Sequence, residues 1–414
     1  MRGEYQHLVD EISAALGVPA TLEDRDFGLI AFGAHGDDDD LMMDPVRTRS
    51  ILQRRSTAAV RAWFEAFGIA RAQAPLRIPP DPAAGVFTGR ICLPVRHGGV
   101  VHGYVWLLDD EHLAGLDLGV PFADPRLAQA VETTNRIGAL LAAEARAGAE
   151  LGELLRDLLT ARPAAVEAAR GALREALGPA ADGPLAVVAV APWQTGDGET
   201  GPEGSGSALA AQSGVAAMCA VPGSLPDGSA ALAALIRLRA TSSPAPARAA
   251  ADRLLRSPRA GRPVPADTAA GTPAGLAAAG LGTPRRGLVE LPEAWSEALS
   301  AARAAAAERR LGPVAEWAGI GPYRVLTGLV PERAADPAVL PLLERAHTEL
   351  ARTAEVYLDC AGQAGRAAAA LGIHRQTLYY RLGRVEQLTG LDLDDGEDRL
   401  LLHMTLKASR LRRA

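Results

Sequence analysis

The sequence predicts a multidomain protein of mixed class: two α/β domains followed by an all-α carboxy-terminal domain. Three observations carry this. The chain has 414 residues, and at about 150 residues per domain that length suggests two to three domains. Of its 17 aromatic residues, ten fall before residue 123, including all six phenylalanines, so the first part of the chain has the material for its own core. From residue 337 onward the apolar residues recur at helical spacing. The expected boundaries are 1–123, a connecting helix over 124–160, an α/β domain over 161–330 and a helical domain over 337–414.

In the first domain, residues 27–32 read as a strand and 48–67 as a helix. Residues 89–95, the His97-Gly98-Gly99 turn and residues 100–108 read as a β-hairpin. Strand, helix, then hairpin is the order of a small sensor domain of the GAF or PAS type. The acidic run Asp37–Asp40 reads as a solvated loop. Residues 127–158 are free of proline and place Ile137, Leu141, Leu151, Leu155 and Leu158 at spacings of three and four, with Glu144 and Gly148 interrupting the seam. Such a helix either pairs two protomers as a signalling helix or packs on its own domain. Beyond it, a helix is expected at 164–177, a strand at 185–190, a glycine-rich loop at 196–206, a helix at 293–308 and a short strand at 319–326.

Composition removes several classes. The chain is 48 % hydrophobic and 22 % charged, ordinary for a globular protein. With no run of 18 apolar residues and a polar amino terminus, neither a membrane span nor secretion is expected. Cys92, Cys219 and Cys360 are isolated and odd in number, which fits a reducing cytoplasm. There is no CxxC or HExxH pair. Lys407 is the sole lysine, so a phosphate-binding P-loop is excluded. No metal, cofactor or catalytic residue is expected. Alanine over isoleucine and arginine over lysine is what GC-rich codons give, and predicts a high-GC, actinobacterial source. A net charge of −6 argues against a protein that coats nucleic acid along its whole surface. It leaves room for one small basic domain, because charge acts locally.

That domain lies at the carboxy end. Helices are expected at 349–360, 365–371 and 375–388, with a turn at Gly372-Ile373. Ala368, four residues before Gly372, suits a close crossing of two helices, with a left-handed residue closing the first. On the third helix Leu378, Leu382 and Val385 share one face, while Gln376, Tyr380, Arg384 and Gln387 lie opposite, with Thr377 nearby. Arginine pairs with guanine and glutamine with adenine in bidentate fashion, so Arg375 and Gln376 suit base edges. Thr377, Tyr380 and Arg384 suit phosphates, and the free N–H groups of the helix start favour a phosphate too. Between residues 363 and 390 four arginines face Glu386 alone, a local +3. Asp395 to Asp398 caps a last helix on which Leu400, Met404 and Leu411 form the expected apolar stripe.

The stretch Ala-Ala-Ala-Ala-Leu-Gly-Ile-His-Arg-Gln-Thr-Leu-Tyr-Tyr-Arg-Leu-Gly-Arg-Val-Glu (367–386), with Leu-Thr-Gly-Leu-Asp-Leu (388–393) and Asp-Arg-Leu-Leu-Leu-His-Met-Thr-Leu (398–406), resembles the helix-turn-helix of the PucR/CdaR family of bacterial transcription regulators. Residues 294–326, closing on Gly-x-Tyr-Arg-Val-Leu, look like the end of that family's degenerate GGDEF-like middle domain. No GGDEF or GGEEF motif is present, so cyclase activity is not implied. The resemblance implies a non-enzymatic, ligand-responsive regulator: a GAF/PAS-like sensor, a GGDEF-like α/β domain and a DNA reader acting as a homodimer or higher homo-oligomer. Its candidate DNA-binding residues are His374, Arg375, Gln376, Thr377, Tyr379, Tyr380, Arg381 and Arg384. Its partners would be a double-stranded operator and a small polar effector such as a ureide, a sugar diacid or an amino acid like proline. Arg47, Arg49, Arg90 and His102 could meet an effector carboxylate, but each reads more readily as a surface or structural residue. The alternatives are a scaffold whose helix-turn-helix contacts protein, and a metal-dependent hydrolase using His35 and Asp37–Asp40 with His97, His102 or His112.

Overall fold

A computed structural model describes residues 2–33, 48, 50–52, 58–82, 86–109, 113, 115–118, 124–195, 214–257, 259–261, 277–328 and 336–411. These divide into two compact units, one up to Glu150 and one from Leu151 onward. The expected glycine-rich loop at 196–206, the acidic run Asp37–Asp40, His35, Arg47, Arg49 and His112 lie outside the described residues.

The first unit holds α1 (Arg2–Leu16), β1 (Ala20–Asp24), β2 (Leu29–Phe32), α2 (Ala58–Ala66), β3 (Leu76–Ile78), β4 (Arg90–His97) and β5 (Val100–Leu108). Among the described residues the strands form one antiparallel sheet in the order β2-β1-β5-β4-β3. The hairpin expected from the sequence is β4–β5. Gly98 and Gly99 both take positive φ, as the twist of a two-residue hairpin turn requires. Strand alternation divides the core in two. Ile91, Leu93, Val95, Val105 and Leu107 point to α1, whereas Cys92, Tyr104 and Trp106 point to Phe27 and to Phe64 of α2. Arg90 is buried and donates to the backbone carbonyls of Thr88 and Gly89, and His102 is buried in β5.

α3 (Pro125–Thr160) runs 36 residues across the boundary between the units. Its seam packs on the chain's own domains: Leu127, Ile137 and Leu141 join the first core, Leu155 and Leu158 the second. Of the expected seam, Ile137, Leu141, Leu155 and Leu158 are buried within the units and Leu151 is half-buried.

In the second unit, α4 (Val166–Leu177), β6 (Pro184–Trp193), β7 (Val215–Val221), β8 (Ala230–Arg237), α5 (Ala245–Leu254), β9 (Ala278–Leu281), β10 (Arg285–Arg286), α6 (Leu291–Ala307) and β11 (Val314–Glu316) build an α/β domain. The described strands order β11-β9-β6-β8-β7, with β10 beside β6. β11 and β9 run parallel and the rest antiparallel. Ala294, Ala298 and Ala302 of α6 lie against β9 so closely that a Cβ on Gly280 would come 2.0 Å from the Ala298 carbonyl oxygen. Small residues on both surfaces allow that approach, so here the alanine bias has a packing role.

Two expectations are corrected. Residues 319–326 are not a strand: Trp317–Gly319 is a 3₁₀ turn and Tyr323–Leu326 a helical turn. Gly321 is left-handed and Pro322 precedes the first helical residue, which starts a helix (a proline lacks the N–H a ladder needs). The three-residue spacing of buried Tyr323 and Leu326 is a helical period. The strand of this region is β11, just upstream.

The carboxy-terminal helices are α7 (Thr348–Asp359), α8 (Ala364–Leu371), α9 (Arg375–Thr389) and α10 (Gly396–Leu411). They enclose a core of Ala354, Leu358, Ala368, Leu378, Leu382, Val385, Leu402 and Leu406. The second correction concerns α10: of its expected stripe Leu411 is buried and Met404 half-buried, but Leu400 is exposed, and Leu402 and Leu406 fill the helical core instead. Asp395 does cap it, accepting from the N–H groups of Glu397 and Asp398 at 2.9 and 3.0 Å. Among the described residues no helix is long and apolar enough to cross a membrane.

Candidate nucleic-acid interface

Two short helices and the turn between them make the site. α8 ends at Gly372, which is left-handed at φ 66°. The Ile373 N–H returns to the Ala368 carbonyl at 3.1 Å and the Gly372 N–H to that of Ala369 at 3.2 Å, satisfying carbonyls the helix end would orphan. His374 is then extended and becomes the N-cap of α9, its Nδ1 accepting from the Gln376 N–H at 3.3 Å. Gly390, left-handed at φ 71°, closes the other end.

Between these caps α9 has the two faces its sequence predicts. Leu378, Leu382 and Val385 are buried in the helical core. Arg375, Gln376, Thr377, Tyr379, Tyr380, Arg384 and Gln387 are exposed. Tyr380 is 76 % exposed, so an aromatic ring that could have joined the core stands in solvent. Arg384 donates to the Gln387 amide oxygen at 2.9 Å, and Arg375 leans toward the Tyr379 hydroxyl at 3.5 Å. Both guanidiniums keep further donors free for a partner.

Arg381 stands apart from the other predicted site residues. It turns back onto α7, donating to Thr353 Oγ1 at 3.2 Å and standing 3.5 Å from Glu349. Glu386, the acid within the basic stretch, accepts from the Leu393 N–H at 3.0 Å. It thereby fastens the turn after α9. The outward face is left with Arg375 and Arg384, with Arg366 exposed on α8.

Sequence reasoning missed a buried ionic cluster behind this helix pair. Lys407 Nζ of α10 lies 2.8 Å from Asp359 of α7 and 3.8 Å from Glu355. Arg410 reaches Glu355, and reaches Glu308 at 3.0 Å. Burial opposes ionisation of Asp359, but the Lys407 ammonium and His403 outweigh it and hold the carboxyl below its ordinary range. Burial and the positive charge of Lys407 push His403 down despite its 3.0 Å contact with Asp359. The available signal was the lysine itself, a single one among 43 basic residues.

Residues 350–408 match the PucR C-terminal helix-turn-helix domain. The chain is 31 % identical over 135 residues to the proline-responsive transcriptional activator PutR of Bacillus subtilis, covering 31 % of this chain and 33 % of that protein. It is 60 % identical over 38 residues to the carbohydrate diacid regulator of Escherichia coli, covering 9 % and 10 %. The matches thus span a third or less of these curated relatives. A solved regulator of polyketide synthase expression from Bifidobacterium adolescentis aligns over 64 % of this chain and 94 % of its own, at 18 % identity and a TM-score of 0.28, a similarity too low to carry an argument. Residues 350–408 thus carry a helix-turn-helix domain of the PucR type.

Proposed function

We propose that the chain is a ligand-responsive, one-component transcription regulator that reads operator DNA with α9 and is not an enzyme. One observation carries the reading. A helix capped at both ends holds its leucine face in a core and presents Arg375, Gln376, Thr377, Tyr379, Tyr380 and Arg384 outward on a PucR-type domain. His374 supports them as the cap, and Arg381 as the anchor to α7. Arg375 and Gln376 in the first turn read base edges, and Thr377, Tyr380 and Arg384 fix register on phosphates.

In this reading the first unit is a GAF/PAS-like sensor, supported by its strand, helix and hairpin order. The α/β domain after α3 is the family's GGDEF-like module without the metal-binding carboxylates. α3 carries the signal, being continuous from one unit into the other. Two copies bind one operator, with recognition helices about 34 Å or a multiple apart. The named activities of the two curated relatives, proline response and diacid regulation, favour a small polar catabolite as effector and catabolic genes as the target.

A gel-shift on DNA upstream of the chain's own gene tests this, with proline, sugar diacids and ureides as additives. A sequence-selective shift that responds to one additive is expected. Absence of any selective shift under all conditions would overturn the reading.

A further inference from the structure

α10 is buried on two sides. Leu402 and Leu406 belong to the helical core beneath α9. Ala408 and Leu411, with Met404 at the margin, belong to a different cluster with Ala301, Ala304 and Ala305 of α6 and with Ile320, Tyr323 and Leu326. A helix that served the DNA-binding domain alone would leave that second face in water.

Charged groups follow the same course. Asp359 and Glu355 come from α7, Lys407 and Arg410 from α10, and Glu308 from the end of α6. The pairs run Asp359 to Lys407, Lys407 to Glu355, Glu355 to Arg410, and Arg410 to Glu308. Glu308 Oε2 also receives the Tyr323 hydroxyl and Arg310 Nε, each at 3.5 Å. Glu308, Glu355 and Lys407 are each under a tenth exposed. Charges at that depth are tolerated only with partners, and removing one strands the others. Arg410 is the one cation that contacts both a helical-domain carboxylate and an α/β-domain carboxylate in this chain of pairs.

We propose that α10 and the Glu355–Arg410–Glu308 bridge form a fixed joint, so that the α/β domain and the DNA-binding helices open and move as one body. A signal reaching the α/β domain would then reorient α9 without a hinge between them. The inference goes beyond the proposed function, because the joint exists whether or not α9 reads DNA.

Native-state hydrogen exchange of the full chain across a denaturant series tests it, without DNA. In the wild type, the slowest amides of α6 and α9 should converge on one opening, with a common denaturant dependence. In R410A the α7–α10 amides should open at least tenfold more often than those of α6, and the two curves should separate. E308Q, which removes the charge from the other side while keeping an acceptor, should separate them in the same sense. Curves already separate in the wild type, or still merged in both variants, would overturn the proposal. The wild-type measurement decides on its own if R410A does not fold.

Discussion

Arg375, Arg381 and Arg384 share one helix and have different surroundings, so their alanine variants should fail differently. R384A removes an exposed guanidinium. It should weaken binding to all sequences alike and shallow the salt dependence by about one unit in a titration of affinity against salt. R375A should instead relax preference at one base position, costing about 1–3 kcal/mol there in a competition assay. R381A removes the tie to Glu349 and Thr353. Its partly exposed pair predicts a stability loss of about 1 kcal/mol or less by chemical denaturation, with little change in salt slope. In the first unit, burial pushes Asp24 up to about 7, against backbone N–H bonds from Gly28 and Asp26 that pull it down. The folded state then holds a proton the unfolded chain gives up. This contribution is whole below about pH 4 and is lost as pH rises toward 7. D24N keeps the acceptor and cannot ionise. Urea midpoints should match wild type near pH 4 and exceed it at pH 8, with about 4 kcal/mol as the ceiling for a three-unit shift.

At the scale of elements, legibility followed periodicity. The β4–β5 hairpin was readable because alternation and a double glycine turn coincide, and α9 because one stripe is apolar and the other is not. α10 was misread for a physical reason: it packs against two cores, so apolar residues occupy both faces and no single stripe stands out. The turn at 321–326 was misread because Tyr-Arg-Val-Leu suits a strand by composition, whereas Pro322 and the buried pair Tyr323 and Leu326 impose a helical period. The α6–β9 contact was invisible to pattern reading, since alanine and glycine carry almost no hydrophobic signal of their own. It makes a sharp prediction. G280A would drive its Cβ into the Ala298 carbonyl and the Ala302 N–H, at 2.0 and 2.3 Å, both backbone atoms that cannot step aside. Thermal unfolding should show a loss of about 1–3 kcal/mol or more from overpacking. The equivalent change at Gly365, where a Cβ meets nothing, should be neutral or slightly stabilising.

For the whole molecule, a formal charge of −6 conceals a small cationic face at one end. In the proposed reading, an effector of the first unit raises the melting temperature of the full chain in a screen of carbon and nitrogen catabolites, because binding to the folded state alone stabilises it. The cations exposed on α8 and α9 are all guanidinium groups. The one lysine of the sequence lies on the inner face of α10, 3 % exposed beside Asp359 of α7. Acylating reagents, chemical or enzymatic, therefore have no lysine target on the folded chain. Control of the exposed α9 face by lysine acetylation is closed off. Lys407 becomes instead a single chemical timer: its ε-amine reacts only when α10 lifts away, and the extent of labelling counts those openings.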